Sequence, residues 1–202
     1  MANVITLSRF PLLILVLALL YSRNTVLCWI APVLLFVLIM MDTLDGFVAR
    51  ARDEVSLLGS ILDIAADRAV EVVLWVVFAD LNLIPLAVPI IVIIRGTLVD
   101  ALRSAGARNG QSPFSITSSK WGQRIVASPS MRTVYGVSKG IAFCCLAVTQ
   151  ALRLYPGGTA QASLAHSFWV FSNVITWIAI ALCIVRAIPV LVEAPGSIRD
   201  QA

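Results

Sequence analysis

Stretches of about twenty predominantly apolar residues recur along this chain, at 4–22, 25–49, 57–80, 82–104, 132–153 and 166–190. Each is long enough to cross the hydrocarbon core of a bilayer as a helix. Backbone amides in lipid must be satisfied within the segment, so helix is the only form open to an isolated apolar run of this length. A soluble fold of 202 residues would carry about a quarter charged residues. Here 13% are charged and 59% hydrophobic, with a mean hydropathy of +0.94. The apolar surplus has to face lipid. The expectation is an all-α integral membrane protein with six transmembrane helices, one domain over residues 1–202.

The connections agree with that count. Asn24, Asn82 and the turn Tyr155-Pro156-Gly157-Gly158 break the odd-to-even joints. One set of loops holds Arg50, Arg52, Arg103, Arg108, Lys120, Arg124 and Arg132, and the opposite set holds Arg23 and Arg153. The positive-inside rule places the first set in the cytoplasm together with both termini, in a multi-pass protein of the cytoplasmic (inner) membrane. The formal net charge of +4 therefore reads as topology and an anionic ligand. With no basic cluster on a soluble face, no nucleic-acid partner is expected. Arg9 and the apolar run behind it could pass for a signal peptide, but Tyr21, Ser22 and Arg23 follow with no small-x-small cleavage site, so a retained first helix is expected. Cys28, Cys144, Cys145 and Cys183 sit in apolar runs without metal-ligand spacing and read as small buried hydrophobes. His166 and the tryptophans 29, 75, 121, 169 and 177 read as interfacial or packing residues.

Against this background, "MDTLDGFVARARDEVSLLGSILDIAAD" (41–67) places Asp42, Asp45, Asp63 and Asp67 in otherwise apolar helices. Residues three or four apart share a helix face. The pairs Asp42/Asp45 and Asp63/Asp67 can then meet across a helical hairpin whose tip is "RARDEVS", at the cytoplasmic ends of the second and third helices. Carboxylates so close cannot all stay ionised without cations. An all-oxygen ligand set selects Mg2+ or Mn2+ over zinc. Gly46, Ala49 and Gly59 on the same faces either pack helices closely or leave a slot for a flat ligand. Arg50 lies where it can meet phosphate oxygens.

Written out, the stretch is Asp42-x-x-Asp45-Gly46-x-x-Ala49-Arg50, eight residues, then Gly59-x-x-x-Asp63-x-x-x-Asp67. In these elements and spacings it resembles the motif of the CDP-alcohol phosphotransferases, a family with six membrane helices in about this length. The resemblance implies a phospholipid-synthesis enzyme that passes a phosphatidyl group from CDP-diacylglycerol to an alcohol and releases CMP. It implies two divalent ions on Asp42, Asp45, Asp63 and Asp67, with Asp67 also taking the proton of the acceptor hydroxyl. Gly46, Ala49 and Gly59 would line the cytidine slot and Arg50 would touch the diphosphate. Family members are often homodimers.

The acceptor is carried by other segments. "NVITLSR" (3–9) is similar to the Asn-x-x-Thr-x-x-Arg opening of phosphatidylglycerophosphate synthases. "VASPSMRTVYG" (126–136) resembles their segment ending in Gly-Lys-x-Lys-Thr, with Pro129 and Ser130 in place of Gly-Lys and Arg132-Thr133 in place of Lys-Thr. Arg95, Arg103, Lys120, Arg124 and Arg132 form a candidate acceptor-phosphate site, and Lys139 lies near it. The acceptor expected is glycerol 3-phosphate; inositol phosphate, another phospholipid or a small alcohol are the alternatives. Arg95 lies inside the apolar run "AVPIIVIIRGTLVD", where an arginine marks a functional site unless it pairs with Asp80 or Asp100. Arg68 and Glu71 read as a structural ion pair. A cation transporter is the reading from another class. It would distribute acids near the midplane of both halves, whereas these crowd one hairpin.

Overall fold

The computed structural model describes residues 2–51, 57–108 and 129–199, with side chains for 7–41, 59, 61–102 and 130–192. Among the described residues the secondary structure is helical, with no strand. The helices are α1 (Ala2–Leu20), α2 (Thr25–Ala51), α3 (Leu57–Asp80), α4 (Ala87–Arg108), α5 (Pro129–Leu154) and α6 (Thr159–Arg199). The hairpin tip 52–56 and the long polar loop 109–128 lie outside the described residues. All six expected segments are helices. Two of them, Ser130–Leu154 and Thr159–Val192, are by length and composition able to cross a membrane. Leu7–Leu20 and Thr25–Met41 are shorter apolar helices. Charge interrupts α3, where Asp63, Asp67, Arg68, Glu71 and Asp80 stand among the apolar residues.

Two helix starts differ from expectation by five residues or more. The third helix ends at Asp80 as expected, but the fourth begins at Ala87 rather than at 82. Asn82 takes the left-handed conformation (φ 56°), which Asn tolerates better than other residues bearing a Cβ. Its amide donates to the Ala79 carbonyl and that of Leu83 to Phe78, the paired closure that ends many helices. Pro85 then keeps Ile84 out of helical geometry. The last helix starts at Thr159, earlier than 166, because the Gly158 carbonyl accepts from the amides of Gln161 and Ala162 and so opens a helical turn directly after the glycines.

The chain divides into two compact units, residues 1–86 with 140–173, and residues 87–139 with 174–202. In the first, α1 packs on α2 and α3, and the ring of Trp75 meets that of Phe143 at 4.5 Å between centroids. Buried Thr149 and Ser172 share a hydrogen bond of 2.9 Å between α5 and α6. The odd-to-even connections of this unit are tied together at one end. The Tyr21 hydroxyl donates to Asp80, Thr25 to the Leu154 carbonyl, Gln150 to the Leu20 carbonyl and Arg153 to the Asn82 carbonyl. Asn24 caps α2 by accepting from the amides of Val26 and Leu27. In the second unit, Val99 of α4 packs with Ala187 and Val190 of α6.

Candidate functional site

On α3 the end away from those connections carries the acids. Asp63 lies seventeen residues before Asp80, about 25 Å along the helix axis at 1.5 Å per residue. Asp67 follows Asp63 by one turn, and Gly59 precedes it by one, so the three share a face. The side chains of Asp63 and Asp67 keep 46% and 44% of their surface exposed.

A third residue joins them from α1. Arg9 is 2% exposed, and its guanidinium spans the two acids, Nη1 lying 3.8 Å from Oδ1 of Asp63 and Nη2 3.8 Å from Oδ1 of Asp67. The geometry suits Arg, whose planar fork presents two nitrogens to two carboxylates, where a lysine offers one point charge. Sequence reasoning placed Arg9 in the "NVITLSR" opening but not in the site. The available signal was an arginine entering an apolar run, which in lipid demands a partner. One turn beyond Asp67, Glu71 is buried and pairs with Arg68 at 3.6 Å, the structural ion pair expected.

Asp42, Asp45, Gly46, Ala49 and Arg50 occupy the last ten residues of α2, which are helical; their side chains lie outside the described residues. Gly59 lies in the first turn of α3. Two carboxylates on one helix face, about half open to their surroundings, are oxygen donors of the kind that a hard divalent ion takes. Among the described residues no group of three metal-ligating side chains gathers, and the second acid pair is not among them.

The basic residues of the expected acceptor site lie apart from this in the sequence and in the other compact unit. Arg95 is partly buried on α4, and its Nε is buried with no hydrogen-bond partner among the described residues. Asp80, one of its two candidate partners, instead accepts from Tyr21 at 2.5 Å. Arg132 is exposed in the first turn of α5. Arg103 lies in α4 with its side chain outside the described residues, as are Lys120 and Arg124 altogether. What the structure adds is Tyr135, 9% exposed, with Lys139 at 5.7 Å and Arg186 at 5.4 Å from its ring centroid. Both cations lie within cation–π range of one ring. Arg186 was missed, although it too is a lone arginine in an apolar run, "IAIALCIVRAIPVLV".

The profile of the CDP-alcohol phosphatidyltransferase family matches residues 1–185, which takes in the acid motif, the first five helices and most of the sixth. The chain belongs to this family. It is therefore a transferase, of the class that passes a phosphatidyl group from a CDP-alcohol to an alcohol acceptor, and a membrane protein by its family and its apolar helices. No curated protein matches the chain.

Proposed function

We propose that this family member transfers the phosphatidyl group of CDP-diacylglycerol to glycerol 3-phosphate, forming phosphatidylglycerophosphate and CMP, with two Mg2+ or Mn2+ ions. The observation that carries the reading is the pair Asp63 and Asp67, one turn apart and half exposed in a chain whose family acts on CDP-linked donors. In this reading the whole chain works as one catalytic unit. It spans the cytoplasmic membrane six times, with both termini and the acid ends of α2 and α3 in the cytoplasm.

Asp42, Asp45, Asp63 and Asp67 would hold the ions, whose charge would neutralise the pyrophosphate and improve CMP as a leaving group. Gly46, Ala49 and Gly59 leave room for the cytidine, and Arg50 meets the diphosphate. The acceptor's hydroxyl oxygen bonds to the phosphorus that carries diacylglycerol. The bond from that phosphorus to the bridging oxygen breaks, and its electron pair leaves with CMP. The hydroxyl proton passes to a carboxylate oxygen of Asp67. A carboxylate is a weak base at neutral pH, so alignment contributes more than proton affinity.

A phosphorylated acceptor adds about two negative charges, and fixed cations must offset them. Support comes from Lys139 and Arg186 around Tyr135, from the Arg95 Nε, which has no hydrogen-bond partner among the described residues, and from the exposed Arg132. Arg103, Lys120 and Arg124 complete the proposed set. The test is an acceptor panel: purified protein, labelled CDP-diacylglycerol, and glycerol 3-phosphate, inositol phosphate, glycerol and serine in parallel, with CMP release as readout. Glycerol 3-phosphate should dominate. An unphosphorylated alcohol winning would end the reading of the basic residues as a phosphate site.

A further inference from the structure

We infer that Arg9 is a resident counter-cation of the Asp63–Asp67 pair, a positioning residue that holds both carboxylates and sets how tightly a divalent ion binds there. The inference rests on the metal reading above and deepens it.

Burial differs sharply across the pair. Arg9 is 2% exposed while the acids it spans keep 46% and 44% of their side-chain surface. A guanidinium withdrawn from solvent requires anions near it. The half-exposed aspartates have no such need of the arginine. A purely structural ion pair withdraws its acid from solvent, as the Arg68–Glu71 pair within α3 does, with Glu71 at 2% side-chain exposure. The Asp63 Oδ1 that meets Arg9 is itself buried, while the two acid side chains as a whole keep 46% and 44% of their surface exposed, which leaves other carboxylate surface open to a ligand.

The contacts fit positioning rather than a closed bridge. Both run from separate guanidinium nitrogens to the Oδ1 atoms at 3.8 Å, ion-pair separations longer than a direct hydrogen bond. One rigid fork thus reaches two side chains a helical turn apart and limits the rotamers open to each. Two mutually repelling carboxylates would otherwise swing apart in the absence of a metal. The same positive charge, a few ångströms from the ligand oxygens, opposes an incoming divalent ion. Arg9 therefore orders the ligands at some expense in metal affinity, which keeps ion binding exchangeable.

Opposite signs for affinity and turnover make the inference testable. Mn2+ binding is measured by electron paramagnetic resonance of the free ion, using purified full-length protein in detergent without substrate; CMP release is measured separately. Arg9→Gln should bind Mn2+ more tightly, on the order of tenfold for a charge this close, while turnover falls more than about tenfold as the carboxylates lose their alignment. Arg9→Lys keeps the charge but cannot span both acids. Its Mn2+ affinity should stay within about twofold of wild type and its turnover should fall. Unchanged or weaker Mn2+ binding by a folded Arg9→Gln protein would overturn the inference and leave the metal reading intact. Wild-type protein that binds no Mn2+ would overturn both. Should Arg9→Gln not fold, Arg9→Lys decides alone, and full turnover in that variant refutes the positioning role.

Discussion

Asp67 and Arg186 carry the sharpest expectations for single side chains. Asp67→Asn keeps the size of the side chain while removing its charge and proton affinity. Turnover should fall by about 10²- to 10⁴-fold, the usual contribution of a positioned acid–base group, while CDP-diacylglycerol still binds in an equilibrium assay. Retention of most wild-type turnover would remove Asp67 from the proton transfer. Asp63→Asn should instead show its loss mainly as weaker Mn2+ binding, recovered in part at high metal concentration. Arg186 makes its cation–π contact with Tyr135 at 5.4 Å. If it serves the acceptor phosphate, Arg186→Gln raises KM for glycerol 3-phosphate roughly tenfold or more, the cost of one charged hydrogen bond, and leaves KM for the donor unchanged. Equal changes in both constants would assign it to packing instead.

At the scale of the helix, the informative positions are where elements stop and where they meet. Asn82 ends α3 at φ 56°, its side-chain amide donating to the Asp80 carbonyl at 3.2 Å and its own carbonyl accepting from Arg153. Asn82→Ala keeps a Cβ in the left-handed region but removes the local side-chain bond that offsets its cost there, and should lower stability by about 1 kcal/mol. Asn82→Gly should cost less, because glycine adopts that conformation freely. Thermal unfolding of the detergent-solubilised variants separates the two, and equal losses would argue against a conformational cause. Gly157 is constrained differently: a Cβ there would lie 2.4 Å from Cβ of Gln161. Gly157→Ala must therefore displace the start of α6, which disturbs the turn joining it to α5. Thr149→Val probes the buried contact with Ser172 and should cost about 1 kcal/mol, typical of a hydrogen bond between membrane helices.

For the whole molecule the expectation concerns sidedness. Within the first compact unit the connections 21–24, 81–86 and 155–158 share one end, and α3 carries its site acids toward its other end. With the positive-inside rule, cysteines placed at 156 in a cysteine-free background should react with an impermeant maleimide in intact cells. Cysteines placed at 52 or 108 should react only after lysis. Labelling of 108 in intact cells would invert the proposed topology and put the donor-binding face on the wrong side of the membrane.

Residue types and local periods were enough to set out six helices, the odd-to-even turns and the acid pair on α3. Helix formation in apolar runs and the sharing of a face by residues four apart depend on near neighbours alone. The Asp42-to-Asp67 spacing carried the family for the same reason, since a motif on two consecutive helices is local in sequence. The starts of α4 and α6 shifted because capping depends on particular backbone bonds, those of Asn82, Leu83 and Gly158, which apolar patterning does not register. Arg9 and Arg186 were legible as isolated cations, but their partners were not. Arg9 finds Asp63 and Asp67 across more than fifty residues of chain, and Arg186 finds Tyr135 across a similar distance. A side chain's charge is written in the sequence. The counter-charge or ring that lets it remain buried is chosen by packing between distant segments, and only the tertiary structure decides that.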